Sequence, residues 1–426
     1  YLEKNREGGH LKSVYIRGNA SLYGEVTIQG SKNAALPIMA AALLVPGVCV
    51  LRNCPRIADV EYMCRILACI GCRVDRKGRE IRIDASELAD SRLPKEYVTR
   101  MRSSVMLMGP LLGRLGEVSL SHPGGCVIGD RPIDLHVKAL SRLGADCQDD
   151  GTGLTAVSCG LRGTSLKLDY PSVGATENVI MAAVSASGVT WLENCAQEPE
   201  IGWLCDFLIH CGASIEQKGP GRLLIRGKNG LHPCTYTIPA DRIVAGTYLC
   251  ACLAAGGETF LKGAPEGEND ALEKTAGRMG AKLRRTREGL WVKRAGPLLA
   301  PGGVETGSFP AFPTDLQSPL LVAMAQAEGE SSMRETVFNG RFGVVEELNR
   351  MGAGIEVKKD TARVPGGRKL TGKRVRASEL RGGAALVIAG LCAEGETLVE
   401  NRSYVDRGYE DICRDLRFLG ACVQDG

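Results

Sequence analysis

A tripeptide of an apolar residue, a glycine and a small residue recurs six times along the chain: IGC at 70–72, LGA at 143–145, CGA at 211–213, MGA at 279–281, MGA at 351–353 and LGA at 419–421. The spacing is roughly 70 residues, longer than the units of about 20–50 residues from which solenoids are stacked. Each copy therefore has room for a core of its own. The tripeptides close amphipathic stretches with apolar residues three and four apart, Val60, Met63, Leu67 and Ile70 in the first copy, Ile133, Val137, Leu140 and Leu143 in the second. That period is helical, and a glycine just past it reads as the C′ residue that ends a helix ahead of a strand.

Alternating runs follow the tripeptides, CRVDRKGREIRID in the first copy and ASIEQKGPGRLLIRG in the third, and strand-like runs such as CVLRN, VTWLEN, TFLKG and TLVEN precede the helices. Ahead of most of these lies a second helix of small residues, as in SKNAALPIMAAALL, ATENVIMAAVSAS and RGGAALVIAGLCAEG. The unit is helix, strand, helix, strand, strand, a βαβαββ type, and the fold class is α/β. Six such units in 426 residues exceed one core and divide into two lobes of three. The last unit stops after one strand at ACVQDG; the opening SVYIRGNASLYGEVTIQG has no helix before it and reads as a hairpin that completes that unit. One lobe then comprises residues 1–30 with 240–426 and the other residues 31–239. Two crossings, near Gly30 and Ala240, leave a hinged cleft. The opening YLEKNREGGH lacks the apolar centre of a signal peptide and reads as a flexible leader.

Charge is nearly balanced, 53 Lys+Arg against 49 Asp+Glu, and aromatic residues make up 5%, so there is neither the basic field nor the stacking surface of a nucleic-acid binder. No run offers the roughly 20 uninterrupted apolar residues that cross a bilayer. The longest candidate, AALPIMAAALLVPGVCVL, is broken by Pro37, Pro46 and Gly47. Small-molecule partners are expected, with no nucleic acid and no membrane; the sequence names no protein partner. The 17 cysteines are odd in number and sit mostly in apolar runs such as TYLCACLAAG, which reads as core packing in a reducing, cytoplasmic setting. Cys64, Cys69 and Cys72 have a spacing used for iron–sulfur ligation, but no fourth ligand stands near and the run is helical in period, so no metal or cofactor is expected. One thiol is placed differently. HPGGCVIGDRP, residues 122–132, mounts Cys126 behind two glycines with Arg131 five residues on, and a poorly shielded thiol beside a cation can serve as nucleophile or proton donor.

Other polar residues fall at element starts, where free backbone amides favour anions. GSKNAALP puts Lys32 and Asn33 just before a helix, TRMRSSVMLMG puts Arg102 at the head of another, and GGCVIGDRPIDL sets Pro132 at the first position and Asp134 in the first turn of a third. FPTDLQ places Asp315 at a helix N-terminus, ASELRGG supplies Arg381 and VDRGYE supplies Arg407. Several cations, one carboxylate and one loop thiol, drawn from both lobes, suit a substrate that carries phosphate and carboxylate groups.

GSKNAALPIMAAALL, MRSSVMLMGPLLGR, PGGCVIGDRPIDLH, PSVGATEN, FPTDLQ, ETVFNGRF and DRGYE, in that order, closely resemble the UDP-N-acetylglucosamine 1-carboxyvinyltransferase family of enolpyruvyl transferases, which open peptidoglycan synthesis. The resemblance runs from about Ser13 to the end of the chain. It implies an inside-out α/β barrel fold of two lobes with three repeats each, and a cleft that takes phosphoenolpyruvate and UDP-N-acetylglucosamine and passes the enolpyruvyl group to the sugar 3′-hydroxyl with loss of phosphate. It further implies that Cys126 is the proton donor to the C3 methylene, the thiol that adds to phosphoenolpyruvate and the target of fosfomycin. Asp315 would take the hydroxyl proton, and Lys32, Arg131 and Arg407 would hold phosphate and carboxylate. Asn33, Arg102 and Arg381 would be further substrate contacts. The nucleotide-sugar side would comprise Arg131, Pro132, Ile133, Asp134, Leu135, Ser172, Val173, Gly174, Asp315 and Val337. Closure of the cleft would fold the Cys126 loop over the nucleotide sugar.

Three positions depart from familiar patterns of the family: Tyr170 where some members have lysine, Glu379 where aspartate is common, and Asp130 beside Arg131. None removes a group the reaction needs. The related 5-enolpyruvylshikimate-3-phosphate synthases begin G-S-K-S and lack a loop cysteine, which GSKNAAL and GGCVIG argue against. A paralogue acting on another nucleotide or sugar, and a non-catalytic nucleotide-sugar sensor, are the alternatives.

Overall fold

A computed structural model describes residues 12–124, 129, 133–227 and 230–426. Cys126, Asp130, Arg131 and Pro132 lie outside the described residues. Among those described, five sheets of four strands and one of three surround helices made of small residues. Lys32–Ala41, Val173–Ser185, Arg242–Ala255, Gln317–Gln326 and Leu380–Cys392 are buried on nearly every side. A helix apolar all round belongs in a core, and here the sheets form the outer layer, each with one solvated face. Arg222–Arg226 shows the alternation, with Leu223 and Ile225 inward and both arginines outward.

One unit shows the common topology. Ser165–Lys167 runs parallel to Val189–Glu193, which pairs antiparallel with Arg222–Arg226, which pairs antiparallel with Ser214–Gln217. Between the strands lie the buried helix Val173–Ser185 and the half-covered helix Pro199–His210. The six repeat glycines, Gly71, Gly144, Gly212, Gly280, Gly352 and Gly420, all have positive φ between 84° and 103° and follow helix ends, as the C′ reading requires. In the three-stranded sheet, a single parallel bridge from Arg92 to Ser119 stands where the other sheets have a fourth strand.

The opening segment is not a hairpin. Val14–Arg17 lies between Glu396–Glu400 and Cys422–Asp425, antiparallel to both, and so completes the last unit. Both of its edges are then occupied. Leu22–Thr27 passes instead to another sheet, parallel to Gly257–Lys262. Thr235–Thr237 makes the reciprocal move and runs parallel to Val48–Arg52. Two units thus exchange their leading strands, and the two connections meet in an antiparallel bridge between Gly30 and Ala240. A Cβ on Gly30 would sit 1.8 Å from the carbonyl oxygen of Asn53, so only glycine lets the strands pass this closely.

Buried apolar side chains form two clusters, one from residues 34–238 and the other from 14–28 with 243–423. Cys64 and Cys72 are buried and Cys69 is exposed. No helix among the described residues is long and apolar enough to cross a membrane.

Candidate active site between the lobes

Lys32 does not precede its helix; it is the first helical residue, because the Ser31 hydroxyl caps the turn by accepting from the backbone N–H of Ala34. The backbone N–H of Lys32 donates to Asp241, the residue that caps the helix Arg242–Ala255 just after the second crossing. Its ammonium lies 2.7 Å from the carboxylate of Asp59, in the first turn of Ala58–Cys69. Asp59 is 1% exposed and takes a second cation from the opposite lobe, Arg407, whose Nε and Nη2 donate at 2.8 and 3.2 Å. Burial alone would raise the Asp59 carboxyl; the charges of Lys32 and Arg407 outweigh it and hold the group below the usual carboxylate range. Nearby, Gln29 bonds to the backbone of Gly408 and Glu410, and Arg79 donates to the Glu410 carboxylate at 2.7 Å.

A second cluster belongs to the C-terminal lobe. Asp315 sits in the 3-10 turn Thr314–Leu316 that leads into Gln317–Gln326, and it makes no capping bond. It instead accepts from Arg381 at 3.0 Å and from Arg341, both almost fully buried while Asp315 is 27% exposed. Burial opposes ionisation here, but Arg381, Arg341 and Lys32 together hold the carboxyl far below its ordinary range. Lys32 thereby links the two clusters. Arg381 heads the helix Leu380–Cys392, is stacked over the Tyr409 ring, and has its backbone N–H bound by Glu379 at 2.8 Å. Glu379, the longer residue where aspartate is common, also caps Gly382 and lies 3.8 Å from Arg341. Val337 stands beside this group, its backbone N–H held by Glu335 at 2.8 Å, and Glu335 also accepts from the Thr314 hydroxyl.

The nucleotide-sugar candidates gather at two neighbouring helix starts in the other lobe. Ile133 precedes Asp134–Arg142, Leu135 is half-buried, and Asp134 is exposed and paired with Lys138. Ser172 caps Val173–Ser185, where a Cβ on Gly174 would meet the His136 ring at 2.9 Å; that ring lies 2.8 Å from the amide of Asn178. Asn33 follows Lys32 half-buried, and Arg102 opens the 3-10 segment Arg102–Leu107 ahead of Met108–Leu115. Gly124 and Gly129, on either side of the undescribed thiol, are placed. Gly124 bonds to the carbonyl of Val98, and an added Cβ on Gly129 would meet Asn339 and Gly340 of the opposite lobe.

The structure therefore joins Lys32 with Arg407 and Asp315 with Arg381. Asp59, which joins the first pair, is absent from the motif reading, and Arg341, which shares Asp315 with Arg381, lies in the motif ETVFNGRF but is given no role there. Asp59 had a signal: it lies on the buried face of its helix, four residues before Met63 and seven before Ile66, where a charge needs a partner.

A family model described as EPSP synthase (3-phosphoshikimate 1-carboxyvinyltransferase) matches residues 16–416. The chain is 44% identical over 408 residues to UDP-N-acetylglucosamine 1-carboxyvinyltransferase 2 of Caldanaerobacter subterraneus subsp. tengcongensis, covering 96% of this chain and 98% of that protein. Among solved structures it resembles the enolpyruvyl transferase NikO from Streptomyces tendae, with a TM-score of 0.87, 26% identity, and 97% of this chain and 98% of that one covered. EPSP synthase from Acinetobacter baumannii shares the fold with a TM-score of 0.75 at 16% identity, over 97% of this chain and 100% of that one.

Proposed function

The chain belongs to the UDP-N-acetylglucosamine 1-carboxyvinyltransferases of the enolpyruvyl transferase family, and from that premise we propose that it transfers the enolpyruvyl group of phosphoenolpyruvate to the 3′-hydroxyl of UDP-N-acetylglucosamine, releasing phosphate. This is the first committed step of peptidoglycan synthesis, on which wall growth, cell shape and division depend. The observation that carries the proposal is Asp59, a buried carboxylate that gathers Lys32 and Arg407 from opposite lobes. Two cations so held are preorganised for a phosphate or carboxylate that arrives when the lobes close.

Lys32, Arg131 and Arg407 hold the anionic groups of phosphoenolpyruvate, with Asn33, Arg102 and Arg381 as further contacts. Cys126 delivers a proton to C3 while the sugar oxygen attacks C2 and Asp315 receives the hydroxyl proton. The product keeps its double bond, so the C3 proton must leave again as phosphate departs. Asp315 is ionised but held by two arginines, which makes it a weak proton acceptor until an incoming anion draws Arg341 or Arg381 away. Ile133, Asp134, Leu135, Ser172, Val173, Gly174 and Val337, with Arg131 and Pro132, receive the nucleotide sugar. We assign residues 31–239 to one lobe and 1–30 with 240–426 to the other; the two hydrophobic clusters and the Gly30–Ala240 bridge support that division. A cytoplasmic setting fits the free thiols at all 16 described cysteines.

Mass spectrometry of the acceptor tests the reading: UDP-N-acetylglucosamine gains a carboxyvinyl group, whereas shikimate 3-phosphate and other nucleotide sugars stay unmodified. Conversion of one of those in its place would assign the chain to a related transferase. Fosfomycin, an epoxide that mimics phosphoenolpyruvate, is expected to add covalently to Cys126 alone. A mass shift on any other cysteine peptide would contradict the role given to that thiol.

A further inference from the structure

We propose that Cys49, Cys211 and Cys234, with His232, form a binding site for a thiophilic divalent cation, zinc in the first instance, at the junction that closes the ring of three units in the N-terminal lobe. The three sulfur atoms lie within 4.8 Å of one another, and those of Cys211 and Cys234 approach to 3.3 Å. Four ligands around zinc with Zn–S bonds of about 2.3 Å would put sulfurs about 3.8 Å apart, between those two figures. Cys49 and Cys211 are buried and Cys234 is half-buried, so an ion would be shielded yet reachable from the surface. His232 stands two residues before Cys234, and its backbone N–H donates to the carbonyl of Cys211 at 2.9 Å. Its exposed imidazole lies outside the group of three sulfurs, with Nδ1 3.4 Å from the Pro233 carbonyl, and a side-chain rotation would bring it in as the fourth ligand of a Cys₃His set, a donor combination that zinc takes in structural sites.

The repeat supplies an internal control. The bond from the backbone N–H of Val50 to the carbonyl of Cys234 recurs at the other junctions as Ser119 to Ser91, Trp191 to Thr164, Ser332 to Gly302 and Leu398 to Lys373. The residue before the repeat glycine, cysteine at 211, is Ile70, Leu143, Met279, Met351 or Leu419 in the other five units. The position of Cys49 is taken by Val118, Thr190, Thr259, Ser331 or Thr397. The same backbone bond is therefore made at four other junctions with no thiol at these positions, so packing alone does not call for three thiols here. The junction is also where the N-terminal lobe must close: Cys211 ends the outer helix of the third unit, Cys234 begins the strand that returns, and Cys49 lies in the first unit that it joins. Cys211 follows the end of the helix Pro199–His210, whose Glu200 near the start pairs with Arg242, so about 15 Å of helix separates the cluster from that pair. The site is separate from the cations around Asp59 and Asp315. On binding, each thiol ligand passes its proton to solvent, and no oxidant or reductant is involved.

The test uses the full chain, produced with zinc in the medium and purified without chelators. Elemental analysis is expected to find about one zinc per chain, and replacement with cobalt(II) to give the intense near-ultraviolet sulfur-to-cobalt charge transfer of a tetrahedral thiolate site. The triple variant Cys49→Thr, Cys211→Leu, Cys234→Thr rebuilds the junction that Leu143, Thr164 and Thr190 already form, so it is expected to fold, by circular dichroism, and to lose both the zinc and the cobalt bands. His232→Ala is expected to weaken zinc binding while the thiolate bands persist. Zinc held equally by the triple variant, or absent from the unaltered chain under these conditions, would overturn the proposal. So would a Cys211–Cys234 disulfide in the unreduced chain, which would make the cluster a redox pair.

Discussion

Changing Asp315 to alanine is expected to lower kcat by about 10²- to 10⁴-fold, the range for loss of a positioned acid or base, and to destabilise the protein by about 3 kcal/mol through loss of the carboxylate that two buried cations share. Arg341 and Arg381 are 2–3% exposed and both bond to this carboxylate, with Glu379 3.8 Å from Arg341 as a second, more distant anion, so alanine removes the charge they share. Steady-state kinetics and denaturant unfolding read the two effects separately. Asp315→Glu keeps the charge and is expected to recover most of the stability but little of the rate, since the longer chain moves the acceptor oxygen off the 3′-hydroxyl. The same pairing sets the acid limb of stability. Asp59 and Asp315 both have folded-state pKa values below the ordinary carboxylate value, so their contribution is complete above a pH of about 4 and is lost as pH falls through the lower native values. Asp315→Ala is expected to flatten that loss, and an unchanged slope would contradict the ion-pair account.

The second large effect is expected at Asp59. Asparagine keeps the shape but leaves one oxygen acceptor for two cations, so Lys32 and Arg407 repel each other across the lobe boundary without a shared anion. The expected result is a rise of about tenfold or more in KM for phosphoenolpyruvate, the cost of about 1.4 kcal/mol in holding both cations, while KM for the nucleotide sugar changes little. Stability should fall by about 3 kcal/mol, the effect of breaking a buried pair. Equal changes in both KM values would indicate general loosening of the cleft instead of a local loss at the anion site.

The repeat architecture was legible because its signals are local. An apolar stretch of helical period followed by a glycine at C′ depends only on neighbouring residues, and Gly71, Gly144 and their four counterparts carry the expected backbone. Strand pairing is not local in that sense. The alternation in SVYIRGNASLYGEVTIQG marks two strands correctly but cannot reveal that both edges of Val14–Arg17 are taken by segments nearly 400 residues away. The site shows the same division. Lys32, Asp315 and Arg381 stand out as charges at element starts; Arg407, expected at one too, instead closes the 3-10 segment Arg402–Arg407, and Asp59 looks like an ordinary acidic residue in a first helical turn until its burial is known. Arg341 lies within the family motif ETVFNGRF, yet only the folded chain shows it sharing Asp315 with Arg381. The cysteines divide likewise: most fill cores as their apolar surroundings imply, but the meeting of Cys49, Cys211 and Cys234 needs three separate segments to converge.

Phosphate release from phosphoenolpyruvate, followed with and without UDP-N-acetylglucosamine, tests the central claim most directly. The account predicts negligible release from phosphoenolpyruvate alone and sustained release, equal to the acceptor consumed, once the nucleotide sugar is added. Release that is indifferent to the nucleotide sugar, or none in its presence, would contradict it.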